Sequence, residues 1–151
     1  MAVRTFFSFH YQRDIWRVNI VRNSNVIDGA AAAGWHDASL WEESKRKGDA
    51  AIKRLIDDGL RGTSTTVVCI GAQTANRRYV DYEIQRSHER GNYILGLYID
   101  HLRDRYGQAD VRGAVPRRLL DLRARVITFT TAADLGRELL AIKSAQARGF
   151  A

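Results

Sequence analysis

Two stretches constrain the fold more than any others: "STTVVCIGA" at residues 64–72 and "YILGLYI" at residues 93–99. Both are nearly continuous apolar runs, rich in β-branched or aromatic side chains. A strand with one wet face alternates polar and apolar residues. A strand that stays apolar has both faces covered, as in a parallel sheet flanked by helices. The segments around them carry the complementary helical signal. Ile52, Leu55, Ile56 and Leu60 fall on one helical face, with Gly62 as a stop. A second helix is predicted from about Tyr79 to Arg90, closed by Gly91. "VRTFFSF" at 3–9 reads as a first strand, and Asp14 is placed to cap a helix carrying Ile15, Trp16, Val18 and Val21. "ARVITFT" at 124–130 reads as a last strand. "TAAD" at 131–134 has the form of a capping box, opening a helix that buries Leu135, Leu139 and Ile142. Residues 22–39, rich in Asn, Gly, Ala and Ser, read as loop around a short second strand. Residues 101–118 read as a charged, irregular excursion.

Strand and helix units in this order predict an α/β sandwich, with a parallel sheet and helices on both faces. Ligands of such sheets bind beyond the carboxyl ends of the strands, at the topological switch point. The loops to inspect are therefore "HYQRD", "WHDAS", "AQTANRR" and "DHLRD".

Composition narrows the function classes. A chain of 151 residues with one proline and no low-complexity run reads as one domain, residues 1–151, with a sizeable core. No apolar stretch is long enough to span a bilayer, and "MAVRTFFSFHY" lacks the form of a signal peptide. A single cysteine, Cys69, excludes an internal disulfide framework and a multi-cysteine zinc site, and fits a reducing cytoplasm. Its place in an apolar strand reads as a buried, inert thiol. The net charge of +7 is spread along the chain. That pattern fits a solvated basic surface or a small anionic ligand better than nucleic acid. There is no G-x-G-x-x-G and no P-loop. The four histidines, His10, His36, His88 and His101, have no close metal-ligand spacing, and no metal site is expected.

The stretches "FFSFHYQRD", "RNS" at 22–24, "WHDAS" at 35–39 and "VVCIGAQTANRRYVDYEI" at 67–84 together resemble the TIR-like domains of the Thoeris anti-phage defence family. The resemblance runs to "GLYID" and is most specific where the third strand leads into "IGxxT" and "YVxxEI". It implies a flavodoxin-like, TIR-like three-layer sandwich with a five-stranded parallel sheet. It also implies an enzyme that cleaves nicotinamide from NAD and forms a cyclic ADP-ribose-type signal. That signal would diffuse to a separate effector protein, with a phage protein as a possible trigger and self-association expected. NAD would be the substrate, with no resident cofactor. A non-catalytic interaction module of the same fold is the alternative.

In "YVDYEI" the family's catalytic glutamate maps onto Glu83. The chemistry is sensible, since loss of nicotinamide leaves an oxocarbenium-like ribose that a carboxylate can stabilise. Val80 and Ile84 face the core on the predicted helix, which puts Glu83 at the border of core and cleft. The competing reading is a surface glutamate paired with Arg86 or Arg90. Ser8, Phe9 and His10 end the first strand and are candidate substrate-binding residues, although Phe9 suits the core equally well. Asn23 and Ser24 are candidates too, with a helix C-cap as the other use of Asn23. Asp37 and Ser39 either bind substrate or form an Asx-turn. Trp35 and Trp41 offer rings for stacking or for packing. Arg77, with Arg78, either meets the diphosphate at a helix N-terminus or is solvated.

Overall fold

The computed structural model describes residues 3–22, 27–29 and 38–147. Five strands form one parallel sheet: β1 (Val3–Ser8), β2 (Ile27–Gly29), β3 (Thr65–Ile70), β4 (Tyr93–Tyr98) and β5 (Arg125–Thr128). Their order is β2-β1-β3-β4-β5, with every neighbouring pair parallel. This is the flavodoxin-like order, whose switch point falls between β1 and β3. The helices are α1 (Tyr11–Arg22), α2 (Ala38–Lys47), α3 (Asp49–Leu60), α4 (Arg78–Glu89), α5 (Arg117–Asp121) and α6 (Ala132–Ala147). Among the described residues, no helix is long and apolar enough to cross a membrane.

The central strands are covered on both faces, as their composition requires. Every residue of β3 is buried. One of two core clusters packs Phe6, Val18, Ile52, Ile56, Val67, Leu95 and Leu139. The other packs Val68, Ile70, Val80, Ile84 and Leu119. Gly96 lets β4 run close beneath its neighbours, because a methyl group there would lie 2.9 Å from Val126 Cγ2.

The helix readings hold at α3, whose Ile52, Ile56 and Leu60 are buried, and at α6, which buries Leu135, Leu139 and Ile142. Thr131 caps α6 through its Oγ1, which accepts from the Asp134 N–H at 3.1 Å. Only half of the capping box forms, since the Asp134 carboxylate takes the Thr130 hydroxyl instead. Three expectations change. Asp14 does not cap α1. The helix opens three residues earlier, and the Asp14 N–H donates to the His10 carbonyl at 2.9 Å. His10 occupies the cap, with Nδ1 accepting from the Arg13 N–H at 3.4 Å. Trp16 is not core. Asp14, Arg17, Val18 and Val21 share the inward face, which leaves Trp16 51% and Ile20 46% exposed. A helix that the pattern did not predict, α2, begins within what read as loop.

The excursion after β4 is irregular up to α5, and it is anchored. Arg17 Nε donates to the Leu102 carbonyl at 2.8 Å, and Nη2 donates to the Gln108 carbonyl at 2.9 Å. Its Nη1 bonds Asp14 Oδ1 at 3.2 Å, while Arg13 makes a two-pronged pair with Asp110.

Candidate active site

A cleft of about 460 Å³ opens at the carboxyl ends of β1 and β3, at the switch point. Phe9, His10, Tyr11 and Gln12 form one wall, from the turn that joins β1 to α1. Lys45 of α2 and Ile52 of α3 form a second. Asn76 and Arg77 lead into the third, where α4 contributes Arg78, Tyr79, Val80 and Glu83.

Glu83 is 2% exposed, yet it lines the cleft. Val80 and Ile84 on the same face of α4 are buried and fix the helix against the sheet. The Ser8 hydroxyl, at the end of β1, donates to Glu83 Oε1 at 2.7 Å. One turn on, Ser87 Oγ donates to the Glu83 carbonyl at 2.7 Å and lies 2.7 Å from Thr66 Oγ1 of β3. The carboxylate is thus held by Ser8 of β1, while Ser87 and Thr66 tie the helix backbone at Glu83 to β3. Burial pushes its pKa well above the ordinary glutamate value, opposed by the Ser8 hydrogen bond. Glu83 does not pair with Arg86, which instead grips Asp57 at 3.0 Å and Glu89 at 2.8 Å.

Apart from Glu83, the charged side chains lining the cleft are basic: Lys45, Arg77 and Arg78. His10 has its pKa lowered, first by burial and then by the nearby Arg77 guanidinium, so its imidazole is neutral at pH 7. Arg77 stands at the N-terminus of α4, where no side chain caps the helix. Arg78 is committed elsewhere, with Nη2 2.5 Å from Asp49 Oδ1. A buried carboxyl beside the end of β1, below a basic rim, suits an anionic ligand that develops positive charge at one carbon.

The family model for the TIR-like domain of Thoeris protein ThsB matches residues 6–104. This chain belongs to that family. A curated relative from Bacillus cereus (strain MSX-D12), named "Putative cyclic ADP-D-ribose synthase ThsB1", is 53% identical over 118 residues. The alignment covers 77% of this chain and 62% of the relative, so the chain spans less than two thirds of that protein.

Within this TIR-like domain the expected site residues separate into groups. Glu83, Phe9, His10 and Arg77 come together on the cleft. Phe9 lines the cleft and also belongs to the core cluster, being 7% exposed and stacked on Tyr11 at 5.9 Å. Ser8 is fully buried behind Glu83 and is not part of the cleft wall. Ser39 lies in α2, so its backbone is helical rather than in a turn, and its side chain lies outside the described residues, as does that of Trp41. Asn23, Ser24, Trp35 and Asp37 also lie outside the described residues.

Lys45, Tyr11, Gln12 and Tyr79 line the cleft without having been singled out. Lys45 was legible in principle. Lys45, Arg46 and Lys47 make a basic last turn followed by Gly48 at φ 102°, an ordinary helix ending. Cys69 is fully buried and its thiol is pushed up by burial, in keeping with an inert role. Among the described residues, no cluster of three or more His, Cys, Asp or Glu side chains is placed to hold a metal ion.

Proposed function

We propose that this chain is an NAD-consuming enzyme that releases nicotinamide and closes the remaining ADP-ribose into a cyclic signal. The observation that carries the reading is Glu83, a buried carboxyl opening onto the cleft at the switch point. The name of the 53% identical relative supports the same chemistry.

The steps follow from the groups present. The glycosidic bond between ribose and nicotinamide breaks, and the electron pair leaves with the nicotinamide nitrogen. The ribose carbon left behind carries oxocarbenium character, which an ionised Glu83 stabilises. A nucleophilic atom elsewhere in the same ADP-ribose then bonds to that carbon and gives up its proton. Water attacking the same carbon yields linear ADP-ribose instead. A cleft that excludes water favours ring closure. The basic rim of Lys45 and Arg77 suits the diphosphate. NAD is the substrate, and the reaction calls for no metal and no resident cofactor.

The wider reading places the enzyme in the bacterial cytoplasm, away from membranes and nucleic acid. Its product reaches an effector protein by diffusion, and a phage protein acts as trigger. Self-association is part of this reading, and the exposed Trp16 and Ile20, one turn apart on α1, offer it a surface.

The test is mass spectrometry of NAD incubated with the protein, alone and in phage-infected lysate, beside Glu83→Gln. Nicotinamide release with a product of ADP-ribose mass less water, lost in the variant, supports the cyclase. Linear ADP-ribose alone points to a hydrolase using the same site. No turnover in either setting transfers the weight to a non-catalytic interaction module.

A further inference from the structure

The geometry between Ser8 and Glu83 is one-sided. Ser8 is the last residue of β1, held in register with Val68 of β3, and its side chain is fully buried. Phe9 and His10, the next two residues, line the cleft, whereas Ser8 does not. Its hydroxyl proton is directed at Glu83 Oε1, 2.7 Å away.

We propose that Ser8 is a positioning residue: it fixes one oxygen of Glu83 in the wall, leaves the other for the ligand, and does not touch the ligand itself. The inference rests on the reading of Glu83 as the reacting carboxylate. A hydroxyl on a β-strand end is a rigid donor, and a donor to a carboxylate favours its ionised form. Burial alone drives Glu83 the other way, towards the neutral acid. Ser8 therefore helps decide how much of Glu83 is charged at working pH.

The other titratable or charged groups around the carboxyl do not take over this role. From the turn after β1 come His10 and Tyr11, and from α2 comes Lys45. The start of α4 supplies Arg77, Arg78 and Tyr79, and β3 supplies Cys69. Among the described residues none of these hydrogen-bonds to Glu83, and the influences on its ionisation are burial and Ser8. Burial, and then Arg77, lower the pKa of His10, which disfavours its charged form beside the carboxyl.

The experiment titrates Glu83 directly, by carbon-13 NMR of side-chain-labelled protein, in wild type, Ser8→Ala and Ser8→Thr. Ser8→Ala should raise the midpoint by about one pH unit, and Ser8→Thr should restore it. In NAD turnover, kcat of Ser8→Ala should fall about tenfold at pH 7 and recover at higher pH, with KM changing less than about twofold. If Ser8→Ala does not fold, Ser8→Cys keeps the volume with a weak donor and should show an upward shift of the same sign. An unmoved midpoint overturns the proposal. So does a raised KM with an unmoved pH profile, which would mean that Ser8 contacts the ligand. A moved midpoint without NAD turnover in any variant supports the Ser8 role while removing the NAD reading.

Discussion

Glu83 sits where a carboxylate is costly, and two consequences follow at the scale of this one residue. Substituting Gln keeps the shape and the ability to accept from Ser8 but removes the charge. Nicotinamide release should fall at least about a hundredfold, the usual loss when a group that stabilises transition-state charge is removed. Stability should move the other way. A carboxyl whose folded pKa is raised contributes stability that is full below the ordinary glutamate value and is lost as pH rises through the raised one. Glu83→Gln should therefore melt above wild type at pH 8, with the gap closing near pH 4. A variant that melts below wild type at pH 8 would contradict the cost of burying this charge. Asp14 follows the same sign with a stated range. It is fully buried, with Oδ2 unpartnered against Gly71, and its pKa is pushed from 3.8 to about 6 by burial, partly offset by Arg17. That interval corresponds to about 3 kcal/mol of stability lost as pH rises from about 4 past about 6. Urea unfolding at pH 4.5 and 7.5 should show a smaller difference for Asp14→Asn than for wild type.

At the scale of elements, α1 and the excursion after β4 behave as one unit because Arg17 joins them. Its guanidinium is 3% exposed and serves two carbonyls of the excursion as well as Asp14, with Asp104 and Asp110 close by. Removing one partner from a buried charge network leaves the rest unpaired, at a cost of about 3–5 kcal/mol. Arg17→Met should lose that much by urea unfolding at pH 7. It should also make the excursion newly sensitive to trypsin at Arg103 and Arg105; continued resistance would show that the anchor lies elsewhere. None of this was legible in the sequence, since Arg17 meets residues 85 to 91 positions away. What was legible is local. The apolar runs of β3 and β4 needed no partner to be recognised, and the faces of α3 and α6 are periodic. Asp14 misled because a carboxylate near a helix start resembles a cap, while its true place is set by packing on Gly71. The helix α2 was overlooked because its sequence, ASLWEESKRK, is polar over most of its length. Glu83 emerged through "YVDYEI" and a family resemblance, whereas its Ser8 partner bond depends on two positions 75 apart meeting in space.

At the scale of the molecule, the fold gathers charge that the chain leaves dispersed. The net charge of +7 has no dense tract in sequence, yet Lys45 and Arg77 stand on different walls of one cleft. Neither takes part in an ion pair among the described residues, unlike Lys47, Lys53 and Arg78. An anionic dinucleotide entering this cleft should meet them at the rim, where solvent and salt still reach. Lys45→Ala and Arg77→Ala should therefore each raise KM for NAD about fivefold to tenfold while leaving kcat nearly unchanged. Lys53→Ala, which breaks a pair with Asp49 outside the cleft, should leave both constants near wild type. Raising ionic strength from about 0.05 to 0.5 M should increase the wild-type KM severalfold and flatten the difference from the two rim variants. If the charge instead served nucleic acid, duplex DNA would bind at low salt with a steep salt slope, and the loss would extend to exposed basic residues outside the cleft such as Arg90 and Arg123. Isothermal titration of NAD and of a short duplex against the same Glu83→Gln protein separates these outcomes, because that variant retains the rim and consumes no ligand. Binding of NAD that weakens in the added Arg77→Ala background, with no heat from duplex at about 0.05 M salt, is the result the cleft predicts.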